Sequence, residues 1–185
     1  TGQIFYVNKD SLTVFKDFSK EMRVFPQFTI DNDGNVWISS EKYIKKFNYR
    51  GEQLAKIVEL NSKGDTLPWA DIEVNSKNEV FATSYTGGLC ELQKVNTQYK
   101  CNWLEKNTAL AGRTVFNNVG SKVYLITENE IGKKYIISEF TDSKTLRSLQ
   151  EINLGQFVYN INSDKDGNLW VGTSNGLYRI DNLSG

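Results

Sequence analysis

The segment Asp33-Gly34-Asn35-Val36-Trp37-Ile38 returns as Asp166-Gly167-Asn168-Leu169-Trp170-Val171. A chain that spells one short segment twice is assembled from repeated units, and such units hide their apolar faces only against one another. Three weaker copies complete the series. The slot of Gly34 and Gly167 is held by Gly2, Asn78 and Ser121, each followed by an alternating apolar stretch: Gln3-Ile4-Phe5-Tyr6, Glu79-Val80-Phe81-Ala82 and Lys122-Val123-Tyr124-Leu125. Successive slots lie 32, 44, 43 and 46 residues apart, close to the roughly 40 to 50 residues of a four-stranded propeller blade.

The alignment extends without gaps into the preceding strand. Phe28, Ile72, Val115 and Ile161 stand six residues before the slot, and Asp31, Asn75, Asn118 and Asp164 three before it. Short amide and carboxylate side chains there bond their own backbone and begin a turn. Three residues after the slot every unit has an aromatic: Phe5, Trp37, Phe81, Tyr124 and Trp170. Such a residue suits the face through which neighbouring sheets pack, so these positions are read as core rather than as ligand contacts.

This register predicts strands over 25–30, 36–40, 43–48 and 53–59 in one unit, and over 71–75, 79–84, 88–93 and 98–104 in the next. The apolar positions Leu54, Ile57 and Val58 permit a helix over 52–60, but the repeat argues for a strand. The fold class expected is all-β: a β-propeller of four-stranded antiparallel blades, about four to five blade-equivalents, forming an arc of a larger propeller. The units would run over residues 1–24, 25–66, 67–111, 112–154 and 155–185 as one propeller segment. The first begins at its second strand and the last stops after Leu177-Tyr178-Arg179-Ile180.

Composition narrows the chemistry. The 185 residues include no histidine, which excludes a Ser-His-Asp triad, a histidine general base and imidazole metal sites. Lys plus Arg and Asp plus Glu number 22 each, so bulk charge does not draw the chain to a polyanion. Aromatics at 12% supply a core. No apolar run approaches the roughly 18 residues of a membrane span, and no charged segment followed by an apolar stretch marks a signal peptide after Thr1. With two prolines, Pro26 and Pro68, and no low-complexity stretch, no linker divides the chain. A hairpin centred on Val95-Asn96 would set Cys90 opposite Cys101, as a disulfide or as two buried thiols.

The stretch from Ile161 through Asp166-Gly167-Asn168-Leu169-Trp170-Val171-Gly172-Thr173 to Gly176-Leu177-Tyr178-Arg179 strongly resembles the two-component regulator propeller repeat. Residues 28–38 resemble it well, and the units around Val80 and Val123 match in pattern. Gly172-Thr173 is replaced in other units by Ser39-Ser40, Thr83-Ser84 and Ile126-Thr127. The resemblance implies a periplasmic sensor region of a Bacteroides-type hybrid two-component system. There such propellers precede an immunoglobulin-like domain, a membrane helix and a kinase, and recognise a carbohydrate or glycan fragment. It implies as partners an oligosaccharide or other small ligand, further blades and signalling domains of the same protein, and a homodimer formed through the full-length protein. No cofactor, nucleic acid or direct membrane insertion is implied. A structural or assembly propeller of a cell-surface or type IX secretion component is the alternative.

Ligand contacts should lie off the repeat, on the face shared by the loops leading into innermost strands and those joining second to third strands. That face would hold Trp69, Tyr85, Arg113, Glu128, Glu130, Phe157 and Asn175. Aromatics there suit the apolar face of a sugar ring, and Arg113 or a carboxylate suits hydroxyls or an acidic group. No enzyme is expected. For a propeller lyase or glycosidase without histidine, the acid and base would be carboxylates, with Glu128, Glu130, Asp71 and Glu41 as candidates. Asp31-Asn32-Asp33-Gly34-Asn35 and Asp164-Lys165-Asp166-Gly167-Asn168 look like calcium loops, but a twelfth-position glutamate is missing from both, so they are read as hairpin turns without metal. The basic residues Lys16, Lys20, Arg23, Lys42, Lys45 and Lys46 are read as solvated strand edges rather than a nucleic-acid surface.

Overall fold

The computed structural model describes residues 3–8, 11–17, 27–85, 88–105, 115–119, 122–130, 134–140, 145–164, 166 and 168–181. Every regular element among them is a strand, in five antiparallel sheets. Sheet I pairs β1 (Gln3–Asn8) with β2 (Ser11–Asp17). Sheet II holds β3 (Gln27–Ile30), β4 (Val36–Ser39), β5 (Ile44–Phe47) and β6 (Gln53–Ile57). Sheet III holds β7 (Trp69–Val74), β8 (Val80–Ser84), β9 (Leu89–Val95) and β10 (Gln98–Glu105). Sheet IV holds β11 (Val115–Val119), β12 (Lys122–Glu130), β13 (Lys134–Phe140) and β14 (Leu146–Asn153). Sheet V holds β15 (Val158–Ser163), β16 (Leu169–Thr173) and β17 (Gly176–Ile180).

Each sheet is a meander in chain order, and the first strands β3, β7, β11 and β15 lie beside one another in that sequence. This is a β-propeller arc: the first strand of each sheet is innermost and the chain moves outward before starting the next sheet. The segment over 52–60 that permits a helix is strand β6 followed by irregular chain.

The repeat aromatics fill the seams between sheets. Trp37 of sheet II packs with Ile72, Val74 and Ala82 of sheet III. Phe81 of sheet III packs with Leu125 and Phe140 of sheet IV, its ring 5.8 Å from that of Phe140. Tyr124 of sheet IV packs with Val158, Ile161 and Val171 of sheet V. Sheets II, III and IV therefore each turn their repeat aromatic toward the following sheet, and Phe15 of β2 meets Phe47 of sheet II edge-on.

The turn slots behave as repeats too. Gly34 and Asn78 both have positive φ, 78° and 65°, a conformation that glycine and asparagine tolerate best. Adjacent turns are tied together where the Asn32 backbone N–H donates to Asn78 Oδ1 at 2.7 Å. At the next corner, replacement of Gly172 by Ser39 leaves the turn intact. Ser40 donates its hydroxyl to Tyr43 O and Thr173 donates to Gly176 O, while Lys42 N–H and Asn175 N–H bond back to the same hydroxyls.

The hairpin register corrects one expectation. The turn is Asn96-Thr97, with Asn96 at φ 57°, and Gln98 pairs with Val95. Asparagine in the left-handed region favours a two-residue turn whose twist suits the flanking strands. Cys90 therefore faces Trp103 and Cys101 faces Leu92, so the cysteines are diagonal neighbours rather than opposites.

Candidate functional site

The face chosen from sequence is built from a recurring corner. Tyr85 N–H donates to Pro68 O at 2.9 Å, and Ser84 Oγ donates to the same carbonyl. In sheet V the equivalent Ser174 N–H donates to Phe157 O at 3.0 Å. These bonds lash the chain leading into an innermost strand to the corner between second and third strands. A second set ties one sheet to the next: Trp69 N–H donates to Ser40 O, and Val158 N–H donates to Tyr135 Oη. Repetition thus positions the face, while residues outside the repeat decide what it presents.

The structure brings Trp69 and Tyr85 to one corner, and Phe157 and Asn175 to the corresponding corner of sheet V. Tyr85 and Phe157 are exposed, at 37% and 46%, and Asn175 is exposed in the turn between β16 and β17. Trp69 differs: it is 2% exposed, with its ring stacked on Trp103 at 6.0 Å in the seam between sheets II and III. Its Nε1 is buried without a hydrogen-bond partner. Glu128 and Glu130 stand at the corner-facing end of β12, in register with Tyr135 and Lys134 of β13. Arg113 lies outside the described residues.

Among the carboxylates weighed for acid-base chemistry, Asp71 is buried and its Oδ1 accepts the Ile72 N–H, and Glu41 is exposed. Sequence reasoning missed Glu73, on the innermost strand β7. Burial raises its pKa, against the opposing hydrogen bonds from Thr29 Oγ1 and Val74 N–H. Its cross-strand partner Phe81 gives the only hint in sequence, since a glutamate beside a seam aromatic is half-enclosed.

On the opposite face, a cleft of about 320 Å³ opens between sheets II and III, lined among others by Asp33, Lys46, Glu79, Glu91 and Tyr99. Its floor is a closed network. Asp31 accepts from the backbone N–H groups of Asp33 and Asn35, the Asn35 amide and Trp37 Nε1 at 2.9 Å, and pairs with Lys46 Nζ at 2.9 Å. Burial pushes the Asp31 pKa up, but the Lys46, Trp37 and Asn35 donors outweigh it and hold the carboxyl below its usual range. Burial likewise lowers Lys46, and Asp31 with Tyr99 more than reverses that. The ammonium also sits over the rings of Trp37 and Tyr99. Sheet V repeats this with Asp164 accepting from Asn168 and from Trp170 Nε1 at 3.0 Å, and Arg179 over Trp170. The first carboxylates of the two acidic stretches, Asp31 and Asp164, are thus occupied by donors a few residues along the same chain.

Lys45 and Lys46 correct the solvated-edge reading. Both are buried at 8%; Lys45 lies 4.4 Å from the Tyr43 ring centroid, and Lys46 serves the network above. They form part of the packing, whereas Lys42 is exposed.

Residues 154–175 match the family model of the two component regulator propeller, a stretch that includes the Phe157–Ser174 corner. The fold is similar to a chain described as the extracellular domain of a hybrid two component system from B. thetaiotaomicron, at a TM-score of 0.66 and 13% identity, covering 100% of this chain and 25% of that one. A second such domain from the same organism aligns at 0.60 and 14%, covering 96% and 27%. A catalytically inactive histidine-to-alanine variant of virginiamycin B lyase from Staphylococcus aureus, with quinupristin, aligns at 0.64 and 19%, covering 96% and 55%. The chain thus spans between a quarter and just over half of these proteins. No curated protein matches it in sequence. Among the described residues no helix is long and apolar enough to cross a membrane.

Proposed function

We propose that this chain, which carries a two component regulator propeller repeat at residues 154–175, is a ligand-binding part of an extracytoplasmic sensor. The observation that carries the reading is the coincidence of that repeat with a fold similar to extracellular domains of hybrid two component systems. The ligand is an oligosaccharide, bound on the corner face. Exposed Tyr85 and Phe157 offer ring faces for stacking on sugar C–H surfaces, and the Asn175 amide offers both a donor and an acceptor. Arg113 belongs to the same loops by its place in the repeat, and Glu128 and Glu130 stand at the end of β12 that leads to this face. Trp69 supports this face from behind, as packing, because its ring is already covered by Trp103. Periplasmic location and signalling through further domains of the same protein, including a dimer, follow from the same reading.

Catalysis is the less supported reading. The lyase of similar fold is inactive when one histidine is replaced by alanine, and these 185 residues contain no histidine. The test is calorimetric titration of an oligosaccharide library into the full-length protein. A saturable heat with at least one glycan is expected, weakened about 10-fold or more by Phe157→Ala or Tyr85→Ala, a loss of roughly 1.4 kcal/mol. No heat with any glycan, from protein shown to be folded, would contradict the proposal. So would glycan turnover abolished by Glu128→Gln.

A further inference from the structure

Cys90 is fully buried in the seam between sheets II and III, and half-buried Cys101 packs against the same cluster. Their sulfur atoms are 2.9 Å apart, about 0.9 Å beyond the length of a disulfide bond. The placement follows from the hairpin: diagonal neighbours on one face converge when both side chains are short. Cys101 stands on β10, the outermost strand of sheet III. Its backbone N–H donates to Glu59 Oε1 at 3.4 Å, in the chain that leaves β6 of the preceding sheet. The pair thus sits where the outer edges of two successive sheets meet.

We infer that Cys90 and Cys101 are a cross-linking pair, closing to a disulfide that fastens the edge strand β10 to β9 at the seam with sheet II. With glutathione disulfide as oxidant, the Cys101 thiolate attacks one of its sulfurs and releases one glutathione thiolate. Cys90, giving up its proton, then attacks Cys101 Sγ and expels the second glutathione. Two protein thiols are oxidised and one glutathione disulfide is reduced to two thiols. Cys101, the more exposed of the two, meets the oxidant, and Cys90 resolves the mixed disulfide. The Cys90 sulfur as acceptor for the Cys101 S–H, burial, and the nearby Glu59 carboxylate all disfavour the Cys101 thiolate, so the first step is slow at neutral pH and quickens as pH rises. Because the cysteines are diagonal rather than opposite, closure needs a small shift of one strand, and reductants reopen the bond. The inference stands on this geometry and is independent of which ligand the corner face takes.

The test exposes the folded full-length protein to glutathione disulfide and reads its intact mass, followed by non-reducing peptide mapping. A loss of about 2 Da, with one peptide pair joining Cys90 to Cys101 and reversal by dithiothreitol, is expected. The Cys90→Ser variant should instead accumulate one glutathione adduct on Cys101. Persistent glutathione adducts on the native protein, or a free thiol pair after oxidation under conditions that oxidise an unfolded control, would overturn it. Oxidation should also raise the urea midpoint of the native protein and leave that of Cys90→Ala/Cys101→Ala unchanged; an unchanged midpoint in the cross-linked native protein would contradict the fastening role.

Discussion

At the scale of single residues, the repeat is a chemical sentence in which the words depend on one another. Units with tryptophan after the turn have aspartate before it, and a cation across from the ring: Asp31, Trp37 and Lys46, then Asp164, Trp170 and Arg179. Units with Phe81 or Tyr124 have Asn75 or Asn118, and glutamate across: Glu91 and Glu139. An indole N–H carried into a seam needs an acceptor; the buried carboxylate of Asp31 takes Lys46 as counter-charge, whereas Arg179 covers the Trp170 ring and pairs with Asp181. Trp37→Phe should cost about 2 kcal/mol in urea unfolding, because it removes a donor from a buried carboxylate. Trp170→Phe, at the more open sheet V, should cost less. The Asp31 pKa is depressed, so its contribution is whole above 3.8 and is lost as pH falls below that value. The Lys46 pKa is raised, so its contribution is whole below 10.5 and is lost as pH climbs past it. Stability measured against pH should fall at both ends in the native protein, and each fall should be shallower in Asp31→Asn. The Asp-to-Trp spacing of six was visible in both strong copies of the repeat, whereas the Lys46 partner was not, since cross-strand register cannot be read from one strand.

At the scale of elements, alternation and turn chemistry sufficed where the turn residues were unambiguous. Asp-Gly and Lys-Asn marked the corners over 31–35 and 75–79 correctly, because only a few residues accept positive φ there. The Val95-Asn96-Thr97 segment admits two hairpin centres, and the choice turned on which residue takes the left-handed conformation; this shifted the cysteine pairing by two positions. Lys45 and Lys46 differ from the sequence expectation for a related reason: a charged pair on a short strand reads as solvated, whereas folding brings it Tyr43 and Asp31 from its own sheet and Tyr99 from the next. Strand pairing within a sheet is local, but seams join residues of different sheets, such as Tyr124 with Val158 and Phe81 with Leu125. Phe81→Ala, which empties such a seam beside Phe140 and Leu125, should cost about 3 to 5 kcal/mol. Chemical denaturation checks it, and a cost under about 1 kcal/mol would mean that sheets III and IV do not share that core.

At the scale of the whole molecule, function and fold occupy different parts of the unit. The repeat writes the seams and the corner bonds, and these were legible because their chemistry recurs. The exposed residues on the corner face do not recur, so sequence could nominate them by position but could not sort them: Trp69 turned inward onto Trp103, while Tyr85 and Phe157 stayed in solvent. The seams and the corner face both depend on successive sheets leaning on one another about a common axis. A crystal structure of the full-length protein tests this most directly. It should show β3, β7, β11 and β15 side by side around that axis, with Trp37, Phe81 and Tyr124 each buried against the following sheet. Sheets stacked as a two-layer sandwich, with these three rings in unrelated surroundings, would contradict it.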